Sequence, residues 1–425
     1  MIGNVAIIGG GTGGLCLAQV LHRAGVRVSV HERSRARTER MQGYSLHINP
    51  VGSRVLHDVL PPEKWRAFLA TAGAHSSGFG FLDEQLHEMV VIDDARGRHD
   101  PAWAYHSVSR ITLHQLLLDG VADVVEYDHE FERYERNPDG TVTCHFVNGD
   151  TVTADVVVGA DGARSRVRGQ YLPHADRVHT GLTLVAGKYP LTAETRGTLP
   201  ARMLDGPNTV LAPGGCGLFV SPHDIESVAP HNGIGADSAD LSTVDPVLFD
   251  NTSSYMIWAF VAGEYPGCEL SSMDGLALRD MVAERTAAWH PRLGAMITGS
   301  PVESISVVPI LTSVSVPRWP TTNITLLGDA IHSMTPFRGV GASVAMHNAA
   351  HLGRNLVAAD RGDLDVLAAL RDFERHMTLY GFAAVRDSLR AAREMVSGAR
   401  VGSSLDQAIS RFFPGVSKDY WRVAL

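Results

Sequence analysis

The sequence predicts an α/β fold in three parts: an open parallel-sheet unit, a mostly antiparallel β-sheet inserted into it, and a helical C-terminus. Three observations carry this. Residues 4–8 form a short apolar run, 9–14 a glycine turn, 15–24 a helical stretch, and 26–31 a second apolar run ending at Glu32, so a βαβ unit opens the chain. From 181 to 309 the texture turns β-rich, with runs at 182–189, 210–212, 216–221 and 254–262 separated by Pro, Gly and Asp. From 341 onward apolar residues recur at helical spacing over 342–358, 364–380 and 382–397, with Gly362 and Gly381 as expected breaks.

Between these parts, runs at 141–147 and 151–158 flank Asn148-Gly149-Asp150, whose turn chemistry closes a β-hairpin. The second arm leads into Gly159-Ala160-Asp161-Gly162, and a later run, 323–327, ends at Gly328-Asp329. The expected division is 1–75, 100–180 and 311–360 for the parallel-sheet domain, 76–99 and 181–310 for the inserted sheet, and 361–425 for the C-terminal helices.

Composition narrows the function. The 37 basic and 46 acidic residues give a net charge of −9, which disfavours any role built on gripping phosphate backbones, so nucleic acid is not an expected partner. Cys16, Cys144, Cys216 and Cys268 are scattered without a close pair, so they read as small buried hydrophobes in a reducing compartment. Met1 leads straight into an apolar strand, and no apolar run approaches the roughly 20 residues that span a bilayer. The expectation is a cytoplasmic protein off the membrane. No His, Glu and His set shows metal-ligand spacing along the chain, so no metal is expected, and no Gly-x-Ser-x-Gly elbow occurs.

The first motif with chemistry is Gly9-x-Gly11-x-x-Gly14, set between strand and helix, with Glu32 closing the next strand. Gly9 permits the tight turn, Gly11 lets backbone approach a pyrophosphate, and Gly14 allows helix to lie close on strand. The helix N-terminus then offers unpaired N–H groups to phosphate, and Glu32 can accept bonds from ribose hydroxyls. This motif alone does not separate FAD from NAD.

Two later blocks do. Gly159-Ala160-Asp161-Gly162-Ala163-Arg164-Ser165-x-Val167-Arg168 and Leu327-Gly328-Asp329-Ala330-Ile331-His332-x-x-x-Pro336-x-x-Gly339-x-Gly341 resemble the downstream signatures of the single-component (group A) FAD monooxygenases typified by para-hydroxybenzoate and salicylate hydroxylases. Trp319, the β-rich insert and the helical end also resemble that family, so the likeness spans essentially the whole chain. It implies a Rossmann-like FAD-binding domain of the GR2 type. It further implies Asp329 on the ribityl hydroxyls, Pro336, Gly339 and Gly341 against the isoalloxazine, and Asp161 touching FAD while helping NAD(P)H approach. Arg168 is implied for the pyridine-nucleotide phosphates, and Arg110, opening Arg110-x-x-Leu113-x-x-x-Leu117, for FAD. Arg33 is a weaker candidate for stacking on adenine. A structural ion pair bracing the turn is the plainer reading of Asp161 and Arg168, and an exposed surface arginine that of Arg110. Val340 and Ser343 replace the family's frequent Gln and Asn, so one hydrogen bond near the ring is expected to be missing or reassigned.

The resemblance implies that NADH or NADPH reduces the flavin and that O2 forms a flavin hydroperoxide, from which oxygen passes to a small organic molecule by hydroxylation or epoxidation. With one glycine fingerprint in the chain, NAD(P)H is expected to bind transiently. Alternation on the run 254–262 places Met256, Trp258 and Phe260 on one face, with Phe219 on a neighbouring strand; these are the candidate pocket lining, against the alternative that they are plain core. Between 181 and 310, 6 basic residues face 14 acidic ones, which favours a neutral phenolic, polyketide-like or terpenoid substrate over a simple aromatic acid, although Lys188 or Arg202 could anchor a charge. His47 lies in a segment that in the family passes near the active site and is a weak candidate for substrate contact or proton relay; His332 reads as structural. A halogenase is disfavoured because its Trp-x-Trp-x-Ile-Pro segment is absent. An FAD-dependent reductase or dehydrogenase, and a non-catalytic flavoprotein that shields a reactive metabolite, remain open.

Overall fold

A computed structural model describes residues 2–35, 45–72, 78–93, 99–224, 254–263 and 270–397. Cys268, the start of the segment carrying His47 and the last part of the expected C-terminal region lie outside the described residues.

A five-stranded parallel sheet runs in the order Ile324–Leu326, Val156–Gly159, Val5–Ile8, Val28–His31 and Val125–Glu126. The two central strands, Val5–Ile8 and Val156–Gly159, are buried at every position, as a parallel sheet covered on both faces requires. The helix Thr12–Arg23 packs beside the helix Gly341–Asp360, so closely that a Cβ on Gly353 would stand 2.5 Å from Val20 Cγ1. A three-stranded antiparallel meander, Phe131–Arg136, Val142–Phe146 and Thr151–Ala154, stands beside this sheet.

The expected hairpin is present around Asn148-Gly149-Asp150, but the run 151–158 is not one strand. It breaks at Asp155: Thr151–Ala154 completes the meander, while Val156–Gly159 enters the parallel sheet. Asp155 Oδ2 accepts the Asn4 N–H at 2.8 Å, tying the break to the first strand.

The second large sheet has seven strands, ordered Ser306–Ser313, Arg177–Pro190, Tyr255–Gly263, Cys216–His223, Asn208–Ala212, Gly78–Asp83 and Glu88–Asp93. Every pairing is antiparallel except Asn208–Ala212 with Gly78–Asp83. The helices Gly275–Arg285 and Pro291–Thr298, within a stretch read as β-rich, pack on one face.

Gly381 does not break the C-terminal helix, which runs unbroken over Val366–Met395. A Cβ at Gly381 would stand 2.5 Å from His332 Cδ2, so the residue is a point of close approach. This helix is anchored by buried Glu374, whose carboxylate accepts from Trp319 Nε1 at 3.2 Å, Thr321 Oγ1 at 2.7 Å and Thr325 Oγ1 at 3.0 Å. Trp319 thus serves as a structural tie. No helix among the described residues is long and apolar enough to cross a membrane.

Candidate active site

The three motifs converge at the C-terminal ends of the parallel strands, where open α/β sheets place their ligands. Gly9 has φ +110°, and a Cβ there would lie 2.5 Å from the Ala160 carbonyl oxygen, so the first motif sits directly on the second. A Cβ on Gly14 would collide with the Gly9 carbonyl oxygen. Gly13 faces Leu327 and Ala345, and Gly328, at φ +61°, faces Ala345 as well, which joins the third motif to the first. Gly11 differs from its neighbours: a Cβ there would meet nothing within 4 Å. The protein has no use for that gap, whereas a pyrophosphate does. Helix Thr12–Arg23 has no side-chain cap at its N-terminus, leaving backbone N–H groups for phosphate.

Glu32 stands across from this turn. Its Oε2 accepts the Gly10 N–H at 2.8 Å, and its Oε1 accepts from Ser34 N and Oγ, both at 2.9 Å. Oε2, with one bond accepted, keeps lone-pair capacity for a ribose hydroxyl. Arg33 is exposed beside it.

Asp329 opens a short helix, Asp329–His332, just after the strand Ile324–Leu326. Its side chain reaches solvent, yet enough protein surrounds it that desolvation raises its carboxyl above the usual range, with Arg177 and Arg110 opposing that shift. Exposure combined with desolvation marks the floor of a cleft. Among the described residues no hydrogen bond to this carboxylate is recorded, so its acceptor capacity is open to a hydroxyl-bearing ligand. Arg110, exposed at the start of helix Arg110–Leu118, shares its electrostatic field. Arg177 was not among the sequence-based candidates, because nothing in its local sequence marks it; only the sheet pairing brings it to Asp329.

Asp161 and Arg168 are both engaged with backbone groups of the motifs. Asp161 Oδ2 accepts the N–H groups of Arg166 at 2.8 Å and Val167 at 3.3 Å, while its Oδ1 is buried without a hydrogen-bond partner among the described residues. Burial raises its carboxyl above the ordinary range. The Arg168 guanidinium donates to the Ala330 carbonyl at 2.7 Å and the Ala163 carbonyl at 3.2 Å. It therefore braces the second motif against the third.

Pro336 begins a 3-10 turn, Pro336–Arg338, which Gly339 ends at φ +60° in the left-handed region. Gly341 starts the helix Gly341–Asp360, and this N-terminus too lacks a side-chain cap. Ser343 Oγ accepts the Asn49 N–H at 3.2 Å.

Gly339 lies against His47, since a Cβ there would stand 3.3 Å from His47 Cβ. On its other side His47 meets Phe219 edge-on, ring centres 5.7 Å apart, and Phe219 stacks toward Phe79 at 6.3 Å. Burial and the nearby charge of His223 push the His47 imidazole down from 6.5 to about 4, so it is neutral near pH 7. Its Nε2 is buried with no hydrogen-bond partner among the described residues. His332 is pushed down to about 4 by burial as well, but its Nε2 stands 2.7 Å from Asn348 Nδ2, which makes it a packing residue.

Three of the pocket candidates lie beneath the helical layer, as plain core would. Met256, Trp258 and Phe260 do share one sheet face, but it is the face covered by helices Gly275–Arg285 and Pro291–Thr298. Trp258 is fully buried there and donates from Nε1 to Ser300 Oγ at 2.8 Å, while Phe260 packs near Trp289. Phe219 pairs directly with Ala259 and lies on the opposite face, so the wall toward His47 is built by Phe219, Ala259, Phe79, Phe81, Leu184 and Ala186. Arg202 is fully engaged with Asn208, Asp205 and the Gly78 carbonyl, whereas Lys188 stands 4.6 Å over the Tyr255 ring at the end of the site-facing wall.

The comparisons with known proteins agree with this cradle. A family model described as "FAD binding domain" matches residues 3–182 and 281–370, and the unmatched stretch between them holds three strands of the inserted sheet. A candidate FAD-containing monooxygenase of Photorhabdus luminescens is 31% identical, with a TM-score of 0.81, over 93% of this chain and 99% of that one. The dual O-methyltransferase/FAD-dependent monooxygenase elcB of Phaeosphaeria nodorum is 28% identical over 95% of this chain and 47% of its own length. The chain thus spans about half the length of the dual-activity curated relatives it matches. The 6-hydroxynicotinate 3-monooxygenase of Bordetella bronchiseptica is 25% identical over 87% of this chain and 86% of its own length. With its glycine turn, Asp329 cleft and two uncapped helix N-termini matched over more than half its residues, this chain belongs to the FAD binding domain family.

Proposed function

We propose that the chain is an FAD-dependent monooxygenase that takes electrons from NADH or NADPH and inserts one atom of O2 into a small, neutral, electron-rich aromatic, polyketide-like or terpenoid molecule. The observation that carries this reading is His47: a neutral imidazole with an unpartnered Nε2, held between Gly339 of the flavin-side loop and the apolar wall at Phe219. The relatives named above support it, one as a dual O-methyltransferase/FAD-dependent monooxygenase and one as a 6-hydroxynicotinate 3-monooxygenase.

When bound, FAD supplies the redox chemistry and the activation of oxygen. The residues for holding it are the turn Gly9 to Gly14 for the pyrophosphate, Glu32 for the adenosine ribose, Asp329 for the ribityl hydroxyls, and the Gly339 to Gly341 backbone for the pyrimidine edge. The uncapped helix at Gly341 directs partial positive charge to where reduction gathers negative charge. His47 Nε2, neutral and unpartnered, would accept a hydrogen bond from a substrate hydroxyl, orienting the ring and raising electron density on the carbon to be oxidised. Phe219 and Phe79 keep water from the reacting carbon. Arg168, occupied with two carbonyls, orders the strand ends on which Asp329 stands and acts on NAD(P)H only through that order. The acidic excess of the inserted sheet disfavours anionic substrates, with Lys188 as the local exception.

The test is to purify the protein with its flavin and to follow NAD(P)H oxidation, O2 uptake and 18O incorporation against a panel of phenols and polyketide intermediates. Substrate-stimulated oxygen uptake with labelled product is expected. Turnover without incorporated oxygen would make the protein a reductase or dehydrogenase, and flavin binding without turnover would leave it a binding protein.

A further inference from the structure

The parallel sheet assembles a ligand set that the linear sequence conceals. His31 ends the strand Val28–His31, and its register partner Glu126 ends the neighbouring strand, so both side chains point to one face. His129 follows three residues later, and Asp150 comes from the hairpin turn of the meander. His31 Nδ1 lies 3.5 Å from Glu126 Oε2, while His129 Nε2 lies 3.3 Å from that same oxygen and 3.4 Å from Asp150 Oδ2. The donor atoms of His31, Glu126 and His129 all fall within 4.8 Å of one another.

Both rings are held for ligation. His129 Nδ1 donates to the Tyr127 carbonyl at 2.7 Å, which leaves the Nε2 lone pair facing the carboxylates. His31 Nε2 is engaged by Ser29 Oγ at 3.0 Å, and its Nδ1, in a side chain only 1% exposed, has no hydrogen-bond partner among the described residues. Phe146 packs against both rings, centre to centre 4.9 Å from His31 and 4.7 Å from His129, so neither swings away easily. Lone pairs and carboxylates that converge in this way repel unless positive charge lies between them. A metal ion meets the requirement. Bond lengths of about 2.0–2.2 Å in a tetrahedral site place neighbouring donors about 3.3–3.6 Å apart, the range of the His31–Glu126, His129–Glu126 and His129–Asp150 separations.

We propose that His31, Glu126 and His129, with Asp150 as fourth donor, form a structural site for one divalent ion of the zinc class. Two imidazoles with carboxylates suit a borderline ion better than calcium or magnesium, which prefer all-oxygen shells. The ion clips the edge of the parallel sheet to the meander, directly behind Glu32, whose N–H donates to the Glu126 carbonyl at 2.8 Å and whose carbonyl accepts the His129 N–H at 2.9 Å. The proposal does not depend on which reaction the flavin performs. The other histidine and carboxylate cluster, His351, Asp372 and His376, is a poorer site: His376 Nδ1 already donates to the Asp372 carbonyl at 2.9 Å, and Arg375 holds a positive charge 3.3 Å from Asp372 Oδ1.

The experiment uses the full-length, FAD-loaded protein, freed of any purification tag and stripped with chelator, titrated with Zn2+ by calorimetry and with Co2+ by visible absorption. One ion per chain is expected, with the intense bands of tetrahedral cobalt. Glu126→Gln, at a half-exposed position that the fold does not rely on, should weaken binding at least tenfold. His129→Gln should weaken it at least a hundredfold, and His351→Gln should leave it unchanged. Wild type should gain melting temperature with Zn2+, and Glu126→Gln should gain less. No stoichiometric ion, or equal affinity in wild type and Glu126→Gln, overturns the proposal, as does loss of binding in His351→Gln.

Discussion

Acid sensitivity should be traceable to His332. Its ring is buried beneath the C-terminal helix at Gly381, and its Nε2 accepts from Asn348 Nδ2, so protonation would place two donors nose to nose. The imidazole is pushed down from 6.5 to about 4. Because the folded value lies below the unfolded one, the unfolded chain binds the proton first. The contribution to stability is complete above about pH 6.5 and is lost as pH falls toward about 4. At pH 5 the unfolded group is almost fully protonated and the folded one scarcely at all, which removes about 2 kcal/mol relative to pH 8. His332→Gln keeps an acceptor for Asn348 but cannot titrate. Urea unfolding of both proteins, saturated with FAD and followed by tryptophan fluorescence at pH 8 and pH 5, should show the gap between them shifting by about 2 kcal/mol in favour of the variant at the lower pH. A gap that is the same at both pH values would refute the assignment of a buried neutral imidazole, whatever the acid sensitivity of the protein as a whole.

Gly14→Ala, which drives a methyl into the Gly9 carbonyl, should yield folded protein that purifies without its yellow colour, with FAD affinity reduced about a hundredfold or more by fluorescence titration. Retained colour would show that the turn can yield. Glu374→Ala strands three donors beneath the C-terminal helix and should cost about 3 kcal/mol in urea unfolding, with Glu374→Gln losing roughly half as much; equal losses would mean that packing and not hydrogen bonding dominates there. Trp258→Phe should lower stability by about 2 kcal/mol and leave KM unchanged, whereas Phe219→Ala should raise KM severalfold with little change in stability. The reverse pattern would put the substrate on the other face of the sheet.

Much of the nucleotide cradle was legible before any coordinates, because its determinants are local. Gly9 needs a positive φ, Gly14 needs close helix packing, and a strand ending in an acid puts that acid at the sheet's C-terminal edge. The hairpin at Asn148-Gly149-Asp150 followed from turn chemistry in the same way. Local reading went astray where a residue's meaning depended on a distant neighbour. Gly381 read as a helix break, yet it is a notch for His332, which lies almost 50 residues earlier. The run 151–158 read as one strand, yet Asp155 divides it between two sheets.

By itself, the sequence determined a parallel sheet with a dinucleotide-binding glycine turn, since backbone torsions and helix-end dipoles are properties of a few adjacent residues; the choice of FAD came from the resemblance of the two later motifs. It also determined that Met256, Trp258 and Phe260 would share a face. Which face the helices cover was decided only by the tertiary structure, because alternation makes two faces and only the covering layers distinguish them. Arg177 beside Asp329, the engagement of Arg168 with two carbonyls, and the meeting of His31 with Glu126 and His129 were settled in the same way. Each depends on strand order and register, which arise from packing whole layers together and leave no periodic trace along the chain.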